Sequence, residues 1–358
     1  MSILLEGFDN LNSSDSIQNQ LPRFECIKQD AISIVNLVNN GQCLRTTSNA
    51  YLKHAVNATA IPSIFYAYVL SVGTRFKVSK YAKNNVLMQF SFNKSNSAQL
   101  ITDSESNILK NEFDLVISVI NDALYISIPS LKIKQRLTRV IFNSSNYIEL
   151  RIEIDDTYES SPERLAGIWV NGVSVFSLKK FAVNTKMLNQ SLFFAYATDD
   201  MAIDLDDIYV KSSVHSNRNE NEIGIPILAS AKIKNLHITD TVSNDFTVNN
   251  SDNAATAISD NDDNTSISST HAASAVFNID DRVGDIYAMQ FDVKGRSDTD
   301  GAVTMSLVDS AGVAISNNCT AALSETTVVK STAAIELLDK KSSISAAIKN
   351  GAQLSVKS

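Results

Sequence analysis

Residues 153–159 read Glu-Ile-Asp-Asp-Thr-Tyr-Glu. In an extended strand, side chains two apart share a face, so Glu153 and Asp155 project together. Paired carboxyls are what retaining glycoside hydrolysis needs, with a nucleophile and an acid about 5–5.5 Å apart across the scissile bond. Arg151 falls on that same face. A strand carrying Glu149, Arg151 and Glu153 also reads as a ladder of mixed charge turned to water. Glu159 lies in Tyr-Glu-Ser-Ser-Pro-Glu, which has the composition of a loop. The charged strand face is the preferred reading, and no catalytic residue is assigned.

A second acidic group comprises Asp204, Asp206 and Asp207, with Asp199-Asp200 nearby. Calcium takes six to eight oxygen ligands, several of them carboxylates, and these three aspartates are the calcium candidates. The competing reading is the wet face of a strand, because Asp204 and Asp206 alternate with Ile203 and Leu205. Asp260, Asp262 and Asp263 are spaced like part of a calcium loop. They lack the glycine and the distant glutamate that such a loop uses, so they read as an acidic turn. His54, His215, His237 and His271 stand in unrelated contexts. Cys26, Cys43 and Cys319 have no CxxC spacing, which argues against a structural zinc site. Beyond calcium, no cofactor is expected.

The elements that would position these residues are short strands. Leu150, Ile152 and Ile154 alternate with the charged side chains, predicting a half-buried strand with one wet face. Asn171-Gly172, between two alternating runs in 167–178, is a hairpin signal. Further strands are expected over residues 1–10, Ile32–Val38, Cys43–Leu44, Ile64–Val72, Thr74–Val78, Val86–Phe92, Leu115–Ile120, Leu124–Ile128, Leu131–Lys134, Leu192–Tyr196 and Ile203–Val210. Turns are expected at Gly73, Asn121-Asp122 and Pro129-Ser130. Phe193 and Phe194 are adjacent, so one of them must leave the core face. Many short strands separated by turn residues indicate an all-β sandwich or jelly roll.

Residues 211–221 carry no apolar periodicity and read as a linker. This divides the chain into 1–210, a jelly roll, and 222–358, a smaller β sandwich. In the second part, strands are expected over Ile223–Leu236, Ala275–Ile279, Ile286–Lys294, Ala302–Val308, Thr327–Ile335 and Ala352–Val356. A polar loop is expected from Phe246, a turn at Gly312, and one short helix over Ser342–Ile348, stopped by Asn350-Gly351. The alternation in 286–294 predicts a central strand.

Composition limits the function classes. The 358 residues carry a formal charge of −8, which repels phosphate backbones and argues against nucleic-acid binding. No apolar run approaches the roughly 18 residues of a membrane span. The N-terminal text has no basic region and no sustained apolar stretch, so no signal peptide is expected. Three unpatterned cysteines fit synthesis in a reducing cytoplasm.

The order of the motifs carries a resemblance. Leu4-Leu5-Glu6-Gly7-Phe8-Asp9, the Trp169-Val-Asn-Gly172 hairpin and Asp206-Asp-Ile-Tyr-Val210 resemble the laminin-G-like, concanavalin-like jelly rolls of tailed-bacteriophage structural proteins. Asp260–Ser269, Ile286–Phe291 and Ile344–Val356 resemble the segment that often follows such a jelly roll. The chain departs from the pattern at 225–233, where a Gly-Asp turn is usual. The resemblance implies a non-enzymatic virion component of tail, neck or capsid decoration, made in the host cytoplasm. It would be present in many copies and held by contacts to other virion proteins. The alternative is a carbohydrate-binding module that attaches a tail appendage to a host-surface glycan. A glycan hydrolase stands third, because concanavalin-like glucanases place the third acid where residue 157 or 158 lies here, and this chain has it at Glu159.

Overall fold

The computed structural model describes residues 2–8, 11, 16–21, 23–37, 41–56, 67–79, 85–93, 113–140, 143–155, 163–179, 189–198, 201–215, 233, 236–259, 264–280, 286, 288–299, 301–332, 335–336 and 341–358. The chain forms two compact units, Met1–Ile233 and Lys234–Ser358.

The first unit is an antiparallel two-sheet sandwich. One sheet runs, edge to edge, Val173–Lys179, Glu163–Val170, Asn146–Asp155, Ala67–Val78, Ile203–His215, Gly41–Thr46 and Ile32–Leu37, with Ser2–Glu6 also pairing onto Ile203–His215. The other runs Ile133–Arg139, Ala123–Ile128, Phe113–Ile120, Asn85–Asn93, Asn189–Tyr196, Tyr51–Val56 and Glu25–Ile27. Alternation sets the packing. Leu70, Val72, Leu150 and Ile152 from the first sheet join Phe90, Leu115, Ile117 and Phe194 from the second in one buried cluster. Facing layers of this kind are the stable answer for sheets with one apolar face each. The protein is thus all-β, with a concanavalin-like jelly roll as its first part.

The Asn171-Gly172 hairpin forms as its chemistry requires. Both residues have positive φ, 48° and 82°, the backbone of the tight turn that suits strand twist. Gly73 does not make the expected turn. It lies inside the continuous strand Ala67–Val78, opposite Glu149 on one side and Tyr209 on the other. A Cβ there would run into the rings of Tyr209 and Tyr147, so the glycine is required by close approach and not by chain reversal. Gly167 lies under the Trp169 ring in the same way.

Two other expectations change. The strand ending the first unit runs on to His215, with Lys211–Ser213 paired to Ser71–Val69. Residues 211–215 are therefore ladder and not linker. Their polar composition misleads because backbone hydrogen bonds hold them. The charged face of Asn146–Asp155 is not wet either: Glu149 is 1% exposed and Arg151 8%. Strands Glu25–Ile27 and Tyr51–Val56 had no counterpart in the sequence reading.

The second unit is built on a five-stranded sheet in the order Ile238–Asn244, Ser274–Ile279, Gln353–Lys357, Gly301–Val308 and Cys319–Leu323. Residues 286–294 are not one central strand. Ala288–Met289 pairs with Ile335–Glu336, and Asp292–Gly295 with Val328–Ser331, in two separate ribbons. The expected polar loop after Phe246 holds strand Thr247–Asn249 and helix Ala254–Ser259. Asn253 starts that helix, its Oδ1 accepting from the Thr256 N–H at 2.8 Å. The expected helix is present as Lys341–Lys349, ended by Gly351 at φ 85°. The strand expected over Ile223–Leu236 and the acidic turn at 260–263 lie almost wholly outside the described residues.

Candidate functional site

The outer face of the second sheet gathers the strongest set of ligand-type side chains. Strand pairing aligns one residue from each of its seven strands in a single row: Lys134, Ser127, Val116, Gln89, Phe193, Lys53 and Glu25. A neighbouring row aligns Arg136, Tyr125, Ser118, Val86 and Tyr196. On the other side stand Asp114, Ser91, Ser191 and Ala55. Period-two alternation turns most of these away from the core that Phe90, Ile117 and Phe194 enter, and irregularities at Leu87 and at Ala195 (φ 55°) bring Val86 and Tyr196 to the same side.

The centre of this face is a polar chain. Gln89 Nε2 donates to Ser91 Oγ at 2.8 Å, and Ser91 Oγ donates to Asp114 Oδ1 at 2.5 Å. An aromatic strip borders it. Tyr51 lies 6.0 Å from Phe193 and 6.3 Å from Tyr196, ring centre to ring centre. The Tyr196 hydroxyl donates to Asn49 Oδ1 at 2.7 Å, which fixes the ring. Burial, aided by Glu25 and Tyr196, raises the pKa of the Tyr51 phenol, so it stays protonated and can donate. Lys53 reaches Glu25 at 3.1 Å. Gln89, Ser91 and Phe193 are screened from solvent, while Tyr51, Lys53, Tyr196, Tyr125, Ser127 and Asp114 are half-buried. The accessible parts are two rims, one of Tyr51, Lys53 and Tyr196, the other of Tyr125, Ser127, Lys134 and Arg136.

The sequence-expected calcium set is placed differently. Arg45 lies directly opposite Asp204 in the ladder. It binds that carboxylate with two parallel bonds, Nε to Oδ1 at 2.6 Å and Nη2 to Oδ2 at 2.8 Å. Arg75 Nε donates to Asp207 Oδ2 at 2.8 Å, and Ile233 N–H donates to Asp207 Oδ1 at 2.8 Å. Asp206 Oδ1 accepts from the Asp207 N–H at 2.8 Å, at a bulge where Asp207 takes φ 50°. Two of the three carboxylates are thus neutralised by arginines. Among the described residues, no group of three or more His, Cys, Asp or Glu side chains could hold a metal ion.

The glycosidase-like carboxylates belong to the first sheet. Glu153 pairs with Arg151 next to it, and the side chain of Asp155 and all of Glu159 lie outside the described residues. Glu149 sits with Tyr147 and Tyr209 over Gly73, and burial drives both phenols well above the ordinary tyrosine range. Phe194 is in the core and Phe193 faces outward, as adjacency requires, yet Phe193 is only 1% exposed.

These features define a protein built on a jelly-roll β sandwich. No family model matches the chain, and no curated protein matches it. Solved structures do. The alginate lyase Aly36B bound to an alginate trisaccharide is 15% identical, with 59% of this chain and 98% of that one covered at a TM-score of 0.41. A marine alginate lyase from Aplysia kurodai is 13% identical, with 60% and 100% covered at 0.41. The seed lectin of Lotus tetragonolobus is 12% identical, with 59% and 99% covered at 0.38. Likeness at this level concerns the architecture. It does overturn the expectation that the chain is not an enzyme. Lyases stand among the matched structures beside a lectin, and one architecture hosts many functions, so a jelly roll cannot count against catalysis.

Proposed function

We propose that the first unit binds a glycan chain across the outer face of its second sheet. The observation that carries this reading is the pair of accessible rims on one face, Tyr51, Lys53 and Tyr196 on one side and Tyr125, Ser127, Lys134 and Arg136 on the other. Sugars present apolar ring faces and rows of hydroxyls. Aromatic rings take the first, and the hydroxyl, ammonium and guanidinium groups of the rims take the second. The half-buried Tyr51 and Tyr125 are the platforms a chain would reach first. The work of such a module on a virus particle, attaching an appendage to a host surface, is supported by the order of the sequence motifs. The same order supports a scaffold role through contacts to other particle proteins.

A panel of immobilised polysaccharides, probed with the wild type and with Tyr51→Ala and Tyr125→Ala, tests the reading. Each variant should weaken binding about tenfold, which corresponds to ~1.4 kcal/mol. The same glycans should be followed for new reducing ends and for unsaturated products, since the face carries groups able to donate and accept protons. Retention by no glycan, or retention unaffected by either tyrosine, would remove the proposal.

A further inference from the structure

The second sheet ends in an edge strand whose charge is opposite to that of the chain. Residues 132–139 read Lys-Ile-Lys-Gln-Arg-Leu-Thr-Arg, four cations and no acid, in a protein of net charge −8. Ile133 and Leu137 pack against the core. Lys134 and Arg136 sit opposite Ser127 and Tyr125, which belong to the outer face described above. Lys134 is exposed and the Arg136 side chain is 49% exposed. Arg136 and Arg139 share Asp122 at 3.7 and 3.8 Å, so two cations converge on one carboxylate.

Cations on an edge strand also protect against edge-to-edge pairing. Protection asks only for charge along the edge. It does not ask that the cations align with a half-buried aromatic and a hydroxyl on the inner neighbour. Here that alignment is present in two adjacent rows, Arg136 beside Tyr125 and Lys134 beside Ser127. The opposite edge of the same sheet carries Glu25 paired with Lys53, so the face is polarised from one rim to the other.

From this polarity we infer that the glycan taken by this face is polyanionic, with its carboxylate or sulfate groups over Lys134 and Arg136 and a sugar ring on Tyr125. The inference rests on the glycan reading and adds its charge class. Arginine pairs with planar carboxylate or with sulfate through its fork of donors, and lysine adds a point charge. Both are rim-exposed, so the affinity they confer should fall as salt screens it.

The test measures binding of the full chain to four probes at 50 and 300 mM NaCl: a neutral glucan, a polyuronate, a sulfated galactan and single-stranded DNA. The wild type should hold the polyuronate or the sulfated galactan at least tenfold better than the glucan at low salt. Lys134→Gln and Arg136→Gln should each weaken that binding about fivefold, in line with single exposed charges. Both positions lie on the exposed rim, so folding is spared, and an unchanged thermal midpoint confirms it. Which anionic probe binds separates carboxylate from sulfate. Equal binding of glucan and anionic glycans, indifferent to both variants, overturns the inference and leaves the glycan reading standing. Binding to none of the glycans ends both. DNA bound in preference to every glycan, and lost in the two variants, overturns the inference by assigning the strip to phosphate.

Discussion

Replacing Arg45 should damage the first unit more than replacing Asp204, although both changes break the same ion pair. The Asp204 side chain is 4% exposed, while that of Arg45 is 33% exposed. Arg45→Met takes from a buried carboxylate its two-bond partner and leaves only Lys77 across the ladder, and a buried pair that loses one partner costs about 3–5 kcal/mol. Asp204→Asn leaves a guanidinium that can turn to solvent, so its cost belongs near the range of a lost charge-assisted bond, about 1.5–3 kcal/mol. For a unit of this size, about 2–4 °C of thermal midpoint accompanies each kcal/mol. Arg45→Met should therefore lower the midpoint by roughly 6–20 °C and Asp204→Asn by clearly less. The double variant should be less damaged than the sum, because the second change removes the charge that the first one stranded. Thermal unfolding followed by tyrosine fluorescence or calorimetry, with and without millimolar calcium, measures this. If calcium raised the wild-type midpoint by several degrees and Asp204→Asn abolished that gain, the carboxylate would be a metal ligand and the ion-pair argument would fail. Equal loss from the two single variants would also refute it.

Further outcomes follow from other contacts. His54 Nδ1–H donates to the Arg23 carbonyl at 2.8 Å, and burial lowers the His54 pKa from 6.5. The unfolded chain then binds a proton that the folded chain refuses, so the stabilising term is complete above 6.5 and is lost as pH falls toward the folded value. A midpoint-against-pH curve should show a drop below 6.5 that His54→Gln flattens. Gly73→Ala pushes a methyl into the Tyr147 and Tyr209 rings and should cost about 1–3 kcal/mol in denaturant melts, with Tyr209→Ala recovering part of the loss. Cys26 and Cys43 are buried, with thiol pKa values pushed up to about 12. Neither should react with a thiol reagent in the folded protein at pH 8, and labelling of either before unfolding would contradict the packing.

What the sequence shows readily is what local chemistry decides. Asn171-Gly172 reads as a hairpin because few residue pairs accept two positive φ values in succession, and Gly351 reads as a helix stop for the same reason. Leu150 and Ile152 read as core because alternation needs no partner to be visible. The errors share a cause, which is long-range contact. Asp204 and Arg45 are 159 residues apart, and Asp207 and Arg75 are 132 apart. Without those arginines the aspartates look like a metal set. Gly73 looks like a break because the rings that need its missing side chain come from two other strands. Tyr51–Val56 mixes Lys53 and His54 with Tyr51 and Leu52 and shows no clean alternation, yet it holds a rim of the candidate site.

Phe193 shows how far such a reading can go. Its adjacency to Phe194 requires one ring to leave the core, and the usual inference is an exposed aromatic. The ring does face outward, and it is nevertheless screened, with Tyr51 against it. Gln89 and Ser91 on the same face are also screened, and they hydrogen-bond in sequence to Asp114. An outward face that buries its centre cannot present a flat platform. A ligand must meet it at the half-buried rims, where Tyr51 and Lys53 stand on one side and Tyr125, Lys134 and Arg136 on the other. Substitutions at the screened centre report on folding, and those at the rims report on binding. Rim variants that lose binding at an unchanged thermal midpoint are therefore the outcome that separates a recognition surface from a second layer of core.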